Sequence, residues 1–172
     1  VLATVRAHWL VAATAEITLE ANPGTVSLDT LAGFQSAGIN RLSFGVQSFT
    51  AHHLRTLGRI HSAADAVQAV EWGTAAGFDN INVDCMYALP QQTCDEWRSD
   101  LQRACDLGAT HISAYNLTYE EGTAFYQWRT QGRLHNLPEE TEIAMFTHAQ
   151  DALAAHGYAQ YEISNYAPPG KE

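Results

Sequence analysis

The sequence predicts an α/β fold, a partial (β/α) TIM-like barrel, and three observations carry that expectation. One event recurs along the chain: a helical stretch ends in glycine, a short connection follows, and a β-rich run begins. Strand and helix alternating in this way make βα units and a parallel sheet. Polar residues also gather at or just beyond the ends of the β-rich runs: Glu20 and Asn22, Gln47, Asp84, Asn116 and Thr118, and Asn165. In a (β/α) barrel that rim binds ligands on every strand, whereas a doubly wound sheet uses only its switch point. The length is the third observation. At 172 residues the chain holds about five units, short of the roughly 250 residues of a complete barrel.

The elements follow in order. VLATVRAHWLV has helical spacing (Leu2, Val5, Trp9) and no strand before it. Residues 1–15 therefore read as the end of a truncated βα unit, and the chain as a fragment of one domain with five strands in residues 16–172. EITLEAN (Glu16 to Asn22) is the first strand, ended by Pro23-Gly24. Later strands lie in AGINRLSFGVQ, AGFDNINVDCMY, LGATHISAYNLT and HGYAQYEISNY, where Gly38, Gly77, Gly108 and Gly157 stand at helix ends that need positive φ. The runs are short and alternate imperfectly, as strands buried on both faces do.

The helices have legible starts. Ser27 caps a helix with Leu28, Leu31 and Phe34 on one face, and Ser62 caps one that turns Ala66, Val67, Val70 and Ala75 to the sheet. Thr93 with Glu96 three residues on is a capping box, ahead of an apolar face of Trp97, Leu101, Ala104 and Cys105. Pro138 sits at about N1 of the last long helix, with acidic first-turn residues that suit the dipole. Shorter helices are expected at about Thr50 to Leu57 and Thr123 to Thr130.

Composition narrows function. Nine basic against 19 acidic residues give a net charge of −10, which repels phosphate backbones and argues against nucleic-acid binding. No apolar run approaches the roughly 20 residues of a membrane span, and Val1 to Ala15 does not read as a signal peptide. Cys85, Cys94 and Cys105 are odd in number and contain no CxxC, which argues against a disulfide framework or a self-contained metal or cluster site and for a reducing, cytoplasmic compartment. Lys171 is the only lysine, so Schiff-base chemistry has almost nowhere to sit.

GxGxxG, a Walker loop and HExxH are all missing. The histidines, His52-His53, His61, His111, His148 and His156 among them, show no metal-ligand spacing and read as surface or structural. Glu20 and Asp84 cost free energy to bury unless paired. An internal ion pair with Arg41 or Arg59 and a ligand site are equally compatible with their positions. In GVQSF, Gly45 lets a ligand approach the backbone, and Gln47 offers both donor and acceptor. YALPQQT reads as a strand exit and PEETE as a solvated helix start. Together these residues imply a small polar ligand at the mouth of a partial barrel.

The strings EITLEANPGT, GINRLSFGVQSF, LGRIHSAADA, GFDNINVDCMYALPQQT, HISAYNLTYEEGTAFY and GYAQYEISNYAPPGKE, in that order, resemble the radical S-adenosylmethionine (SAM) family. Within it they resemble the oxygen-independent coproporphyrinogen III oxidase-like subgroup and its HemW-type haem chaperones. The resemblance covers essentially the whole chain from Glu16 onward. It implies SAM bound at a partial barrel of about six units, a [4Fe–4S] cluster held by a CxxxCxxC loop, and reductive cleavage of SAM to a radical. The family's SAM contacts fall on Glu20, Gln47, Arg59, Asp84 and Thr118. Carboxylates and amides suit a ribose diol and an ammonium, and Arg59 suits a carboxylate.

Departures from the family pattern bear on activity. The cluster loop is not in this sequence, so the cluster's ligands are expected outside it. No residue here takes a catalytic or metal-ligating role, and no radical chemistry is expected from this chain alone. Ala88 replaces the glycine usual before Leu-Pro, which matters only if that residue needs positive φ. The implied functions are haem binding and delivery, with haem or a porphyrinogen, a haem-accepting protein and an electron donor as partners. The alternatives are oxidative decarboxylation of coproporphyrinogen III to protoporphyrinogen IX, and an inactive partial gene product.

Overall fold

The computed structural model describes every residue from Val1 to Glu172. Four strands lie parallel and in sequence: β1 (Thr18–Ala21), β2 (Arg41–Gln47), β3 (Ile81–Tyr87) and β4 (His111–Asn116). Two short strands, β5 (Ala159–Gln160) and β6 (Asn165–Ala167), complete a six-stranded sheet in the order β1-β2-β3-β4-β6-β5. The helices are α1 (Leu2–His8), α2 (Leu28–Ala37), α3 (Ala51–Thr56), α4 (Ala63–Ala75), α5 (Cys94–Asp106), α6 (Ala124–Thr130) and α7 (Glu139–Ala155). The α/β partial barrel expected from the sequence is present.

Local chemistry accounts for the boundaries. Ser27, Ser62 and Thr93 each accept from the backbone N–H three residues on, and the side chains of Thr30, Asp65 and Glu96 reach back to close three capping boxes. The four glycines named above take positive φ, between +69° and +100°. Pro138 stands one place earlier than expected, at the N-cap of α7. Ala88 has φ +57°, so the exchange for glycine falls on a left-handed residue and costs about 1–2 kcal/mol of local strain.

The final β-rich run is not a fifth parallel strand. It breaks into a hairpin whose β6 runs antiparallel to β4, pairing Ile112 with Tyr166 and Ser113 with Asn165. The cause is the side chain of Glu162, which accepts from Ser164 N (2.9 Å) and Asn165 Nδ2 (3.0 Å) and turns the chain back on itself.

The sheet has two unlike faces. Leu42, Phe44, Val46, Ile81, Val83, Cys85, Ile112 and Ala114 are buried under the helices with Leu31, Val70, Trp97, Leu101, Met145 and Leu153. The alternate residues, Thr18 and Glu20, Arg41 and Ser43, Asn82 and Asp84, His111 and Ser113, line the opposite, concave side. Parallel strands are ordinarily apolar on both faces, so a polar inner face marks a surface kept for something other than packing.

Candidate functional site

The upper part of the concave face is a cavity of about 330 Å³ walled by Glu20, Asn22, Ser43, Gly45, Gln47, Arg59 and Asp84. The structure thus brings together four of the five residues expected to bind a ligand. Thr118 lies apart from them, exposed on the segment after β4. Asp84 is the fourth of seven residues in β3 rather than its tip, and Asn165 begins β6. The polar residues run down the inner face instead of gathering only at its rim.

Gln47 closes β2 where the register slips by a residue between Phe44 and Gln47, a β-bulge, and has φ +68°. A left-handed glutamine costs about 1–3 kcal/mol, and such strain clusters at ligand sites. A Cβ on Gly45 would sit 3.0 Å from Gln47 Nε2, so glycine there gives the amide its place. Below the bulge, buried Asp100 of α5 accepts from Ser48 Oγ (2.6 Å) and Phe49 N (2.9 Å), while His61 Nε2 meets the Val46 carbonyl at 3.1 Å. The strand exit is held from both sides.

Neither arginine forms the ion pair that was one reading of Glu20 and Asp84. Arg41 faces Glu16 at 3.8 Å, and Arg59 donates to Asn22 Oδ1 at 3.1 Å. Asp84 accepts instead from neutral groups, Asn82 Nδ2 (2.8 Å) and Ser43 Oγ (3.3 Å). Burial, and to a lesser degree the nearby Glu20 carboxylate, push its pKa above the usual range, against the lowering effect of these hydrogen bonds. A half-buried carboxylate with only neutral donors can also accept from a ligand's hydroxyls or ammonium group.

A second cavity, about 420 Å³, continues down the face and shares Glu20, Ser43 and Asp84. Its floor is a hydrogen-bonded chain that sequence reasoning missed. The Asn82 amide donates to Ser43 and Asp84, so its carbonyl accepts from His111 Nδ1–H (2.6 Å) and Ser113 (3.2 Å). That leaves His111 Nε2 to accept the Tyr161 hydroxyl at 2.7 Å. The signal was available as polar residues two apart in each strand: Arg41 and Ser43 in β2, Asn82 and Asp84 in β3, His111 and Ser113 in β4.

Burial drives the His111 pKa from 6.5 down to about 4, so its ring is neutral at pH 7. The folded chain then binds fewer protons than the unfolded one between those values. Stability is fully present above about pH 6.5 and declines as pH falls toward 4. Between pH 7.5 and 4.5, His111 should account for a loss of about 2–3 kcal/mol, at about 1.4 kcal/mol per unit. Urea unfolding of the native protein and of His111→Gln at both values measures it: the variant should lose less, and equal losses would refute the assignment.

The cysteines do not converge. Cys85 is buried on the helix-facing side of β3, and Cys94 and Cys105 stand 11 residues apart on α5, about 16 Å along the axis. Three thiolates so placed do not fit one iron–sulfur cluster. No helix is long and apolar enough to cross a membrane.

Residues 3–104 match the family model described as "Radical SAM superfamily". The chain is 43% identical over 167 residues to the haem chaperone HemW of Escherichia coli, covering 96% of this chain and 43% of that protein. It is 41% identical over 157 residues to HemW of Bacillus subtilis, covering 91% of this chain and 41% of that one. It therefore spans about two fifths of the length of these curated relatives. Among solved structures, the radical SAM enzyme coproporphyrinogen III oxidase (HemN) of E. coli superposes with a TM-score of 0.86 at 24% identity, over 99% of this chain and 39% of that one.

Proposed function

The chain belongs to the radical SAM superfamily, and from that premise we propose that it forms the SAM-binding barrel of a cytoplasmic haem-binding and haem-delivering protein. The observation that carries the cofactor reading is the cavity in which Glu20, Gln47, Arg59 and Asp84 meet without satisfying one another's charge. Its volume is at the lower end of the range for small-molecule sites. The donor set fits a zwitterion bearing a ribose. Asp84 and Glu20 accept from hydroxyls or an ammonium, Gln47 both donates and accepts, and Arg59 meets a carboxylate as a planar donor pair. Thr118, exposed on the segment after β4 and outside the cavity lining, is not among these donors.

With a reduced [4Fe–4S] cluster, bound SAM supplies one-electron chemistry in this family. The cysteines of this chain do not fit such a cluster, so its own residues are assigned binding and orientation only. The haem reading is supported by the similarity to the HemW chaperones across nine tenths of the chain.

Calorimetric titration with SAM, absorbance titration with haem and anaerobic incubation with coproporphyrinogen III test the proposal. Expected are one SAM per chain, one haem with a shifted Soret band that survives gel filtration, and unchanged porphyrinogen. Absence of SAM binding overturns the cavity assignment. Haem that washes off overturns the carrier reading, and conversion to protoporphyrinogen IX replaces it with the oxidase reading.

A further inference from the structure

Outside the SAM cavity, two elements far apart in sequence aim metal-binding atoms at one point. His52 and His53 open α3, and Glu96 lies in the first turn of α5. His52 Nε2 is 3.4 Å from Glu96 Oε1, and His53 Nε2 is 3.3 Å from Glu96 Oε2. One ligand atom from each of the three residues falls within 4.8 Å of the others. We propose that His52, His53 and Glu96 form a binding site for a divalent transition cation of the zinc class.

The spacing is the first argument. Two ligands each about 2.0–2.2 Å from a tetrahedral zinc stand about 3.3–3.5 Å apart. The His52 Nε2 to Glu96 Oε1 separation matches an edge of such a polyhedron, and His53 Nε2, which hydrogen-bonds Oε2 of the same carboxylate at 3.3 Å, stands where an ion would replace the shared proton. Orientation is the second. Glu96 Oε2 accepts from Thr93 N (2.8 Å) and Thr93 Oγ1 (3.1 Å) in the capping box and lies 3.3 Å from His53 Nε2, which holds the carboxylate in place and turns Oε1 toward His52 as the oxygen open to the ion. Metal-ligating carboxylates are characteristically supported in this way.

Access is the third argument. His53 is fully buried, whereas His52 is half exposed and opens the point to solvent. Two imidazoles and a carboxylate favour zinc-like ions over calcium or magnesium, which prefer oxygen ligands. An ion here would tie α3, between Gln47 and Arg59 in sequence, to the start of α5. It would act beside Asp100, which grips the same strand exit. The site stands independently of the SAM reading, since none of its residues lines that cavity.

The test is titration of the purified protein with zinc by calorimetry and with cobalt(II) by absorbance, alone and in His52→Ala, Glu96→Gln and Cys94→Ser variants. His52 is exposed, and glutamine serves a capping box as well as glutamate does, so the first two variants should fold with unchanged circular dichroism. Expected are one ion per chain, a visible cobalt spectrum without a thiolate charge-transfer band, and an affinity loss of about tenfold or more in each of those two variants. Cys94→Ser should bind as the native protein does. No saturable binding, binding insensitive to His52→Ala and Glu96→Gln, or a thiolate band abolished by Cys94→Ser would each overturn the proposal.

Discussion

Trp97→Ala is expected to lower the unfolding free energy by about 3–5 kcal/mol, the range for truncating a large buried aromatic. Trp97 is completely buried on α5, packs against Tyr87 of β3 with ring centroids 5.4 Å apart, and donates its indole N–H to the Met145 carbonyl of α7 at 2.9 Å. One side chain therefore joins a strand and two helices. Its loss opens a cavity and removes a hydrogen bond worth about 1 kcal/mol. Trp97→Phe refills most of the volume without that bond and should cost about 1–2 kcal/mol. Urea midpoints at an unchanged denaturant slope measure both. A cost below about 1 kcal/mol for the alanine variant would show that α5 is not anchored through this residue. The effect reaches the site, because the same helix carries Asp100, which holds the strand exit below Gln47.

The regular half of the molecule was legible from sequence because its signals are local. A serine or threonine with its partner three residues on, or a glycine after a helix, needs no tertiary information, and the starts of α2, α4 and α5 fell where expected. The break at Glu162 was not legible, since a run of β-formers continues past it and only the folded carboxylate shows the turn. Of the site, Glu20, Gln47, Arg59 and Asp84 were found as polar residues in apolar surroundings and through the family resemblance. The lower floor, Asn82, His111 and Ser113, was missed because the strands were read as buried on both faces, when their period-two polarity marks one face as polar. The meeting of His52 and His53 with Glu96 joins residues more than 40 positions apart, which no spacing rule detects.

Asp84→Asn should move stability and binding in opposite directions. The carboxyl is desolvated, lies near Glu20 and has only neutral donors, so its pKa is raised in the folded state. A raised carboxyl gives stability that is full below the unfolded value of about 3.8 and is lost as pH rises through the folded value. At pH 7 the ionised group is therefore a burden on the fold. Asparagine keeps an oxygen for Asn82 and presents an amide to Ser43 Oγ, which also accepts. The variant should be more stable at pH 7 by roughly 0.5–2 kcal/mol, the usual gain when a functional strain is removed, with the gain shrinking in acid. Binding should suffer, because hydrogen bonds to a charged group contribute about 1.5–3 kcal/mol. SAM affinity should accordingly fall by about ten- to a hundredfold. Urea unfolding at pH 7 and 3.5, with calorimetric SAM titration, reads both quantities. A variant that is less stable at pH 7 would mean the carboxylate is needed by the fold, and one that binds SAM as tightly as the native protein would remove Asp84 from the contact set. A gain in stability with a loss of affinity is the pattern of a carboxylate kept unpaired for a ligand.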